Sequence, residues 1–172
     1  MRHINNNLKR VLLIIQMNLV INAESIHKRH IFFYDQVENK VMINSVFIQT
    51  GYSNELFSLS GVYINTEFYV NRMDKYFKKI RYNFEYTENT DIINSLIKIE
   101  RMILDNIDRP DLTKMYKLKE QLNSSTILVF ENNESTKHTQ STGIYRFILK
   151  ISGVWVSETS CGITFKFFQV ND

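Results

Sequence analysis

The distribution of apolar positions along the chain divides it into extended and helical stretches. Alternation is cleanest at residues 79–86, where Ile80, Tyr82, Phe84 and Tyr86 fall on one side and Lys79, Arg81, Asn83 and Glu85 on the other. A period of two over this length predicts a strand with one buried face. The same signal covers residues 143–156, with Tyr145, Phe147, Leu149 and Ile151 facing one way and Arg146 and Lys150 the other. Extended stretches are further predicted at 31–34, 41–48, 56–70, 126–130 and 163–170. Polar turns separate them at 35–40, 51–54 and 157–162, and 131–142 is a loop without a large apolar residue.

Between residues 90 and 123 the period changes. Ile92, Ile93, Leu96, Ile97, Ile103, Leu104 and Ile107 recur at spacings that build one helical stripe, with Thr90 as its cap. Pro110 disfavours helical geometry at Arg109 and ends that helix at about 107. A second helix, 111–123, is expected with Asp111 at its start and Leu112, Met115, Leu118 and Leu122 on one side. Strands, then a helical pair, then strands is not the regular alternation of a parallel α/β sheet. The order predicts an α+β fold: a mainly antiparallel, OB-like β-barrel over residues 31–172, with the helices between its third and fourth strands. Closure into a barrel also removes the open edges that such aromatic strands would expose. Leu59-Ser-Gly-Val-Tyr-Ile-Asn65 and Ile151-Ser-Gly-Val-Trp-Val-Ser157 echo one another, which suggests two equivalent corner strands.

Residues 1–30 form an apolar and basic N-terminal extension. Arg2, Lys9 and Arg10 precede Val11-Leu-Leu-Ile-Ile15, and Ala23 follows a second apolar patch, an arrangement like a secretory signal. Gln16, Asn18 and Asn22 interrupt it, and Ile21 is a poor residue two before a cut. It therefore reads as a segment packed on the domain, with secretion as the alternative. No stretch approaches the ~18 apolar residues of a membrane span.

Composition adds little to this picture. The chain of 172 residues is long enough for one self-sufficient core, and its net charge of +3 does not by itself demand an anionic partner. A single cysteine, Cys161, excludes an intrachain disulfide and suits a reducing compartment. The twelve Phe and nine Tyr exceed what a core of this size needs.

Signatures of catalysis are missing: there is no phosphate-binding glycine loop, nucleophile elbow or zinc spacing. His27 and His30 lie beside Lys28 and Arg29 and read as a basic surface patch. Cys161 has no His or Asn partner placed by a motif, so no enzyme, metal or cofactor is expected. What does stand out is cations interleaved with rings. Lys75-Tyr-Phe-Lys-Lys-Ile-Arg-Tyr-Asn-Phe-Glu-Tyr86 holds Lys75, Lys78, Lys79 and Arg81 among five aromatics, and Arg146, Lys150, Trp155 and Lys166 form a second group. Unpaired nucleic acid needs this combination, because cations follow the phosphates while rings stack on the bases. Most of the aromatics are better read as core, and Trp155 is open between a core plug and a stacking platform.

Phe147-Ile-Leu-Lys-Ile-Ser-Gly-Val-Trp-Val156 followed by Gly162-Ile-Thr-Phe-Lys-Phe-Phe-Gln-Val170 resembles the C-terminal strand pair of OB-fold single-stranded DNA-binding proteins of large eukaryotic DNA viruses and related mobile elements. The resemblance implies a non-sequence-specific single-stranded DNA-binding protein of replication or recombination; replication proteins and further copies of the chain are its candidate partners, and the host nucleus or cytoplasm its expected location. The alternatives are a virion structural or protein-interaction module docking through residues 91–123, and a secreted host-interaction protein.

Overall fold

The computed structural model describes residues 19–130 and 142–170. Among them are strands β1 (Ile21–Asn22), β2 (Ile31–Glu38), β3 (Val46–Ser53), β4 (Ser58–Leu59), β5 (Val62–Tyr76) and β6 (Lys79–Phe84). Helix α1 (Thr90–Leu104), strand β7 (Thr113–Met115) and helix α2 (Lys117–Asn123) come next. The chain then forms β8 (Thr126–Phe130), β9 (Gly143–Val156) and β10 (Ser160–Gln169). The loop expected at 131–142 and the signal-like run at 1–18 lie outside the described residues, apart from Thr142.

Five strands close on themselves. β5 pairs with β6, β6 with β8, β8 in parallel with β10, β10 with β9, and β9 returns to β5. The result is a β-barrel in an α+β chain, consistent with the OB-like expectation. Two details differ from that expectation. The sheet is mixed, since β8–β10, β7–β10 and β1–β5 are parallel contacts. The helices fall between β6 and β8, the second and third barrel strands, and not between the third and fourth. The reason is that β2 and β3 lie outside the barrel, so its strand count begins at β5.

Strand β9 organises the sheet. Along one edge it holds β10; along the other it holds β5 from Gly143 to Ile151 and then β3 from Gly153 to Val156. At the change of partner, Thr164 faces Gly153 and Phe165 faces Ile151, leaving Ser152 as the extra residue of a bulge. The two Ser-Gly-Val segments meet here, with Val62 opposite Ile151. They are neighbours at one junction and not equivalent corners. Gly61 enters β5 at φ +114°, a conformation that side chains rarely adopt. At Gly153 a Cβ would lie 2.3 Å from the Ile48 carbonyl oxygen, so only glycine lets β3 approach.

The alternation read from the sequence sets the inside of the barrel. Phe68, Tyr82, Phe84, Phe147 and Phe167 pack there, with ring centroids of Tyr82 and Phe147 5.0 Å apart and those of Phe68 and Phe84 5.1 Å apart. Ile93, Leu96, Ile103 and Leu104 of α1 join the same core, as do Ile21 and Ile26. A smaller cluster forms on the outside, where Leu19, Val20, Leu59 and Val170 cover Tyr63, Ile148 and Phe168. No helix among the described residues is long and apolar enough to cross a membrane.

The second helix starts at Lys117 and not at Asp111. Thr113–Met115 is drawn into the sheet beside Ser160–Gly162, and Asp111 pairs with Arg109 at 2.7 Å instead of capping. Tyr116 gives α2 no side-chain cap. Glu100 of α1 does so from a distance: Oε1 accepts from the Leu118 amide and Oε2 from the Lys119 amide, each at 2.9 Å. This fully buried carboxylate thereby satisfies orphan donors of α2 and clamps the two helices together. Burial pushes its pKa up against the opposing effect of the two amides.

Two outcomes are expected. Glu100→Ala lowers the unfolding free energy by about 1–3 kcal/mol in urea titrations, because two buried donors lose their acceptor. Since the folded-state pKa lies above the unfolded one, the linked stability is full at acid pH and is lost as pH rises through the raised value. The stability difference between wild type and the non-titrating Glu100→Gln should therefore shift toward the variant as pH rises.

Candidate nucleic-acid interface

Outward positions of the barrel strands bring part of the expected basic set together. Lys150 of β9 stands directly opposite Lys166 of β10. Lys166 Nζ lies 4.4 Å from the centroid of Phe130 on β8, and Lys79 Nζ of β6 lies 4.6 Å from the same centroid. Lys166 also sits 5.0 Å from the Phe168 ring, and Lys150 5.5 Å from that of Tyr63. Three ammonium groups thus run across four adjacent strands, with aromatic faces beneath them.

Rings attract cations through their quadrupole, which offsets part of the repulsion between neighbours. They do not neutralise charge. Among the described residues, Lys79 and Lys166 take part in none of the ion pairs, which join Arg72 to Asp74, Arg109 to Asp111, Lys114 to Asp105 and Lys117 to Glu120. Like charges directly opposed across a ladder are destabilising. Separately, the pKa of Lys166 is pushed below the ordinary lysine value, first by burial and then by the charge of Lys79.

Other members of the expected set are placed differently. Arg81 faces outward from β6 but stands opposite Asp74, whose carboxylate already accepts from Arg72 and Asn83. Arg146 stands opposite Glu67. Lys75 and Lys78 are exposed at the β5–β6 hairpin, beyond the lysine row. Trp155 is half-buried, belongs to neither core cluster and lies over Gly162, where a Cβ would meet its ring at 2.7 Å. Its indole is therefore on the outer face of the sheet.

One aromatic outside the expected set belongs to the site. Phe130 supplies the ring shared by Lys79 and Lys166 and is 46% exposed. Its place in the alternation, after the inward Ile127 and Val129, was the available signal. Phe77 at the β5–β6 turn is 82% exposed and holds φ at 54°. A left-handed conformation at a bulky residue costs about 1–2 kcal/mol. Strain of this sort collects at functional positions.

Cys161 is fully buried, and burial raises its thiol pKa, which keeps it protonated and poorly nucleophilic. His27 and His30 meet edge to face at 5.5 Å, and His30 Nδ1 is 3.5 Å from the Tyr52 hydroxyl. Among the described residues no three His, Cys, Asp or Glu side chains gather to hold a metal ion.

Fold and site together define an α+β protein built on a closed five-stranded barrel, with a cationic, ring-backed row on its exterior. No family model, curated protein or solved structure matches the chain. If the Phe77 turn is held under strain, Phe77→Gly should raise the unfolding midpoint in urea by the equivalent of about 1 kcal/mol. An unchanged or lowered midpoint would remove the strain argument.

Proposed function

We propose that this chain binds single-stranded nucleic acid without sequence specificity, with DNA the favoured strand and replication or recombination the setting. The observation that carries the reading is the row Lys79, Lys150 and Lys166. Like charges are concentrated there over the exposed ring of Phe130 and the buried rings of Tyr63 and Phe168. A phosphate backbone would relieve the repulsion between Lys79 and Lys166. Single strands are bound in general by a cationic track combined with stacking rings. In OB-folds the second and third strands carry the oligonucleotide face. The corresponding strands of this barrel, β6 and β8, carry Lys79, Arg81 and Phe130. The role proposed is binding, with no bond made or broken.

A docking role is the second reading, and one observation favours it. Val41 and Ile43 are 95% and 89% exposed in the β2–β3 connection, an unusual outlay of apolar surface for a hairpin tip. The helical pair suits docking less well, because the apolar stripe of α1 is turned into the core.

Mobility shift with oligo-dT against duplex DNA tests the leading reading. The wild type should favour oligo-dT, and its affinity should fall steeply with salt as counterions are released. Lys79→Ala combined with Lys166→Ala should flatten the log–log salt slope by roughly 1.4, about 0.7 for each lost phosphate contact on a single strand. Binding that is absent at low salt, or indifferent to salt, would reject it.

A further inference from the structure

The outer face of β9 continues from the lysine row onto a second surface that the lysines do not explain. Beyond Lys150 the outward positions are Gly153 and then Trp155, and on β10 beyond Lys166 they are Thr164 and Gly162. Strand β3 lies alongside, with Phe47 opposite Trp155 and Gln49 opposite Gly153. This surface is flat because its glycines carry no side chain, and each glycine is covered by a ring. Phe47 lies over Gly153, Trp155 over Gly162, and Phe32 of β2 over Gly51. Tyr34 adjoins Phe32 at a centroid distance of 5.2 Å and is 45% exposed. None of these four rings belongs to either core cluster.

Aromatic cover over a strand glycine is a known way to restore packing where a side chain is missing. That accounts for one such pair well. Three pairs on adjoining strands, all on one face, produce something further: a run of rings backed by peptide on one side and half-open to solvent on the other. A ring held in this way loses little entropy when a second flat group stacks on it. The rise of an extended strand puts Gly153 about 10 Å from Lys150. Phosphates at the lysine row and bases on the rings can therefore belong to one bound strand. The charge complementarity lies at the lysines and the stacking chemistry next to them.

We propose that Phe47 and Trp155, with Phe32 and Tyr34 beyond them, form the base-stacking platform of the bound single strand. Its path runs from the lysine row along the outer face of the β9–β10 ladder toward β3 and β2. This rests on the nucleic-acid reading above and adds the subsite that recognises unpaired bases. It also separates single strands from duplex, in which paired and stacked bases cannot lie on the rings.

Trp155 is the only tryptophan in the chain, so its fluorescence reports on the platform directly. The full chain is titrated with oligo-dT of about twelve nucleotides and with an abasic deoxyribose-phosphate strand of equal length, by anisotropy and by tryptophan emission. Oligo-dT should quench Trp155 and bind more tightly than the abasic strand, which should leave the emission unchanged. Phe47→Leu should weaken oligo-dT binding by roughly tenfold while leaving abasic binding intact, since only the stack is removed. Circular dichroism checks that this variant is folded; if it is not, the two wild-type titrations decide. Equal affinities for both strands with no quenching would overturn the platform and leave the lysine-based reading standing. Failure of either strand to bind would overturn both.

Discussion

The ladder between β5 and β9 is the constraint on which the remaining structure depends. It runs from Val62 opposite Ile151 to Val70 opposite Gly143 and turns an open sheet into a barrel. Closure allows Phe68, Tyr82, Phe147 and Phe167 to share one interior, and it directs Lys79, Lys150 and Lys166 outward together. The row itself crosses β6, β8, β10 and β9, so the parallel β8–β10 contact is what joins the basic residue of β6 to those of β9–β10. The ladder stops at Ile151 because Gly61 turns the chain away there. The bulge at Ser152 then frees β9 to accept β3. One junction therefore both ends the barrel and begins the flat ring-covered surface.

Two buried polar side chains hold the helical insertion against this frame. Glu100 caps α2 from α1. Asn89 acts as a short strand: its Oδ1 accepts from the Tyr69 amide, and its Nδ2 donates to the carbonyls of Tyr69 and Glu85. It lies just beyond Val70 and Phe84, the last pair of the β5–β6 ladder. Buried polar groups must be hydrogen-bonded, and these two place the α1 region relative to β5 and α2. The basic row lies on other elements, so helix placement and ligand-facing charge are largely separable in this fold.

Electrostatics divide the cations into two groups. Those with a carboxylate across the ladder, Arg81 beside Asp74 and Arg146 beside Glu67, have their field offset locally. Lys79 and Lys166 share a ring instead, which softens repulsion without cancelling charge. The lowered pKa of Lys166 has the same origin as its suitability for an anion, because each reflects positive charge held close together in a partly dry place.

Strand alternation alone determined the inward faces of 79–84 and 145–151, whereas beyond Ile151 the bulge at Ser152 shifts the period, so that Val154 and Val156 turn inward and Trp155 outward. The limits of β8 and β9 were equally legible, as was the apolar stripe of α1. Tertiary pairing decided what local pattern leaves open. Whether β2 and β3 belong to the barrel, and hence where the helices fall in it, depends on which edge of β9 each strand takes. Thr113–Met115 reads as helix on its own and became a strand because β10 offered it a free edge. Glu100 and Asn89 carry no signal in the sequence, because their partners Leu118, Lys119 and Tyr69 are remote along the chain. The cations were visible as a population, but only the register that opposes some to carboxylates and others to rings selected Lys79, Lys150 and Lys166. Trp155 could be placed only when Gly162 came to lie beneath it, since a contact across a ladder is a property of the pairing and not of either strand.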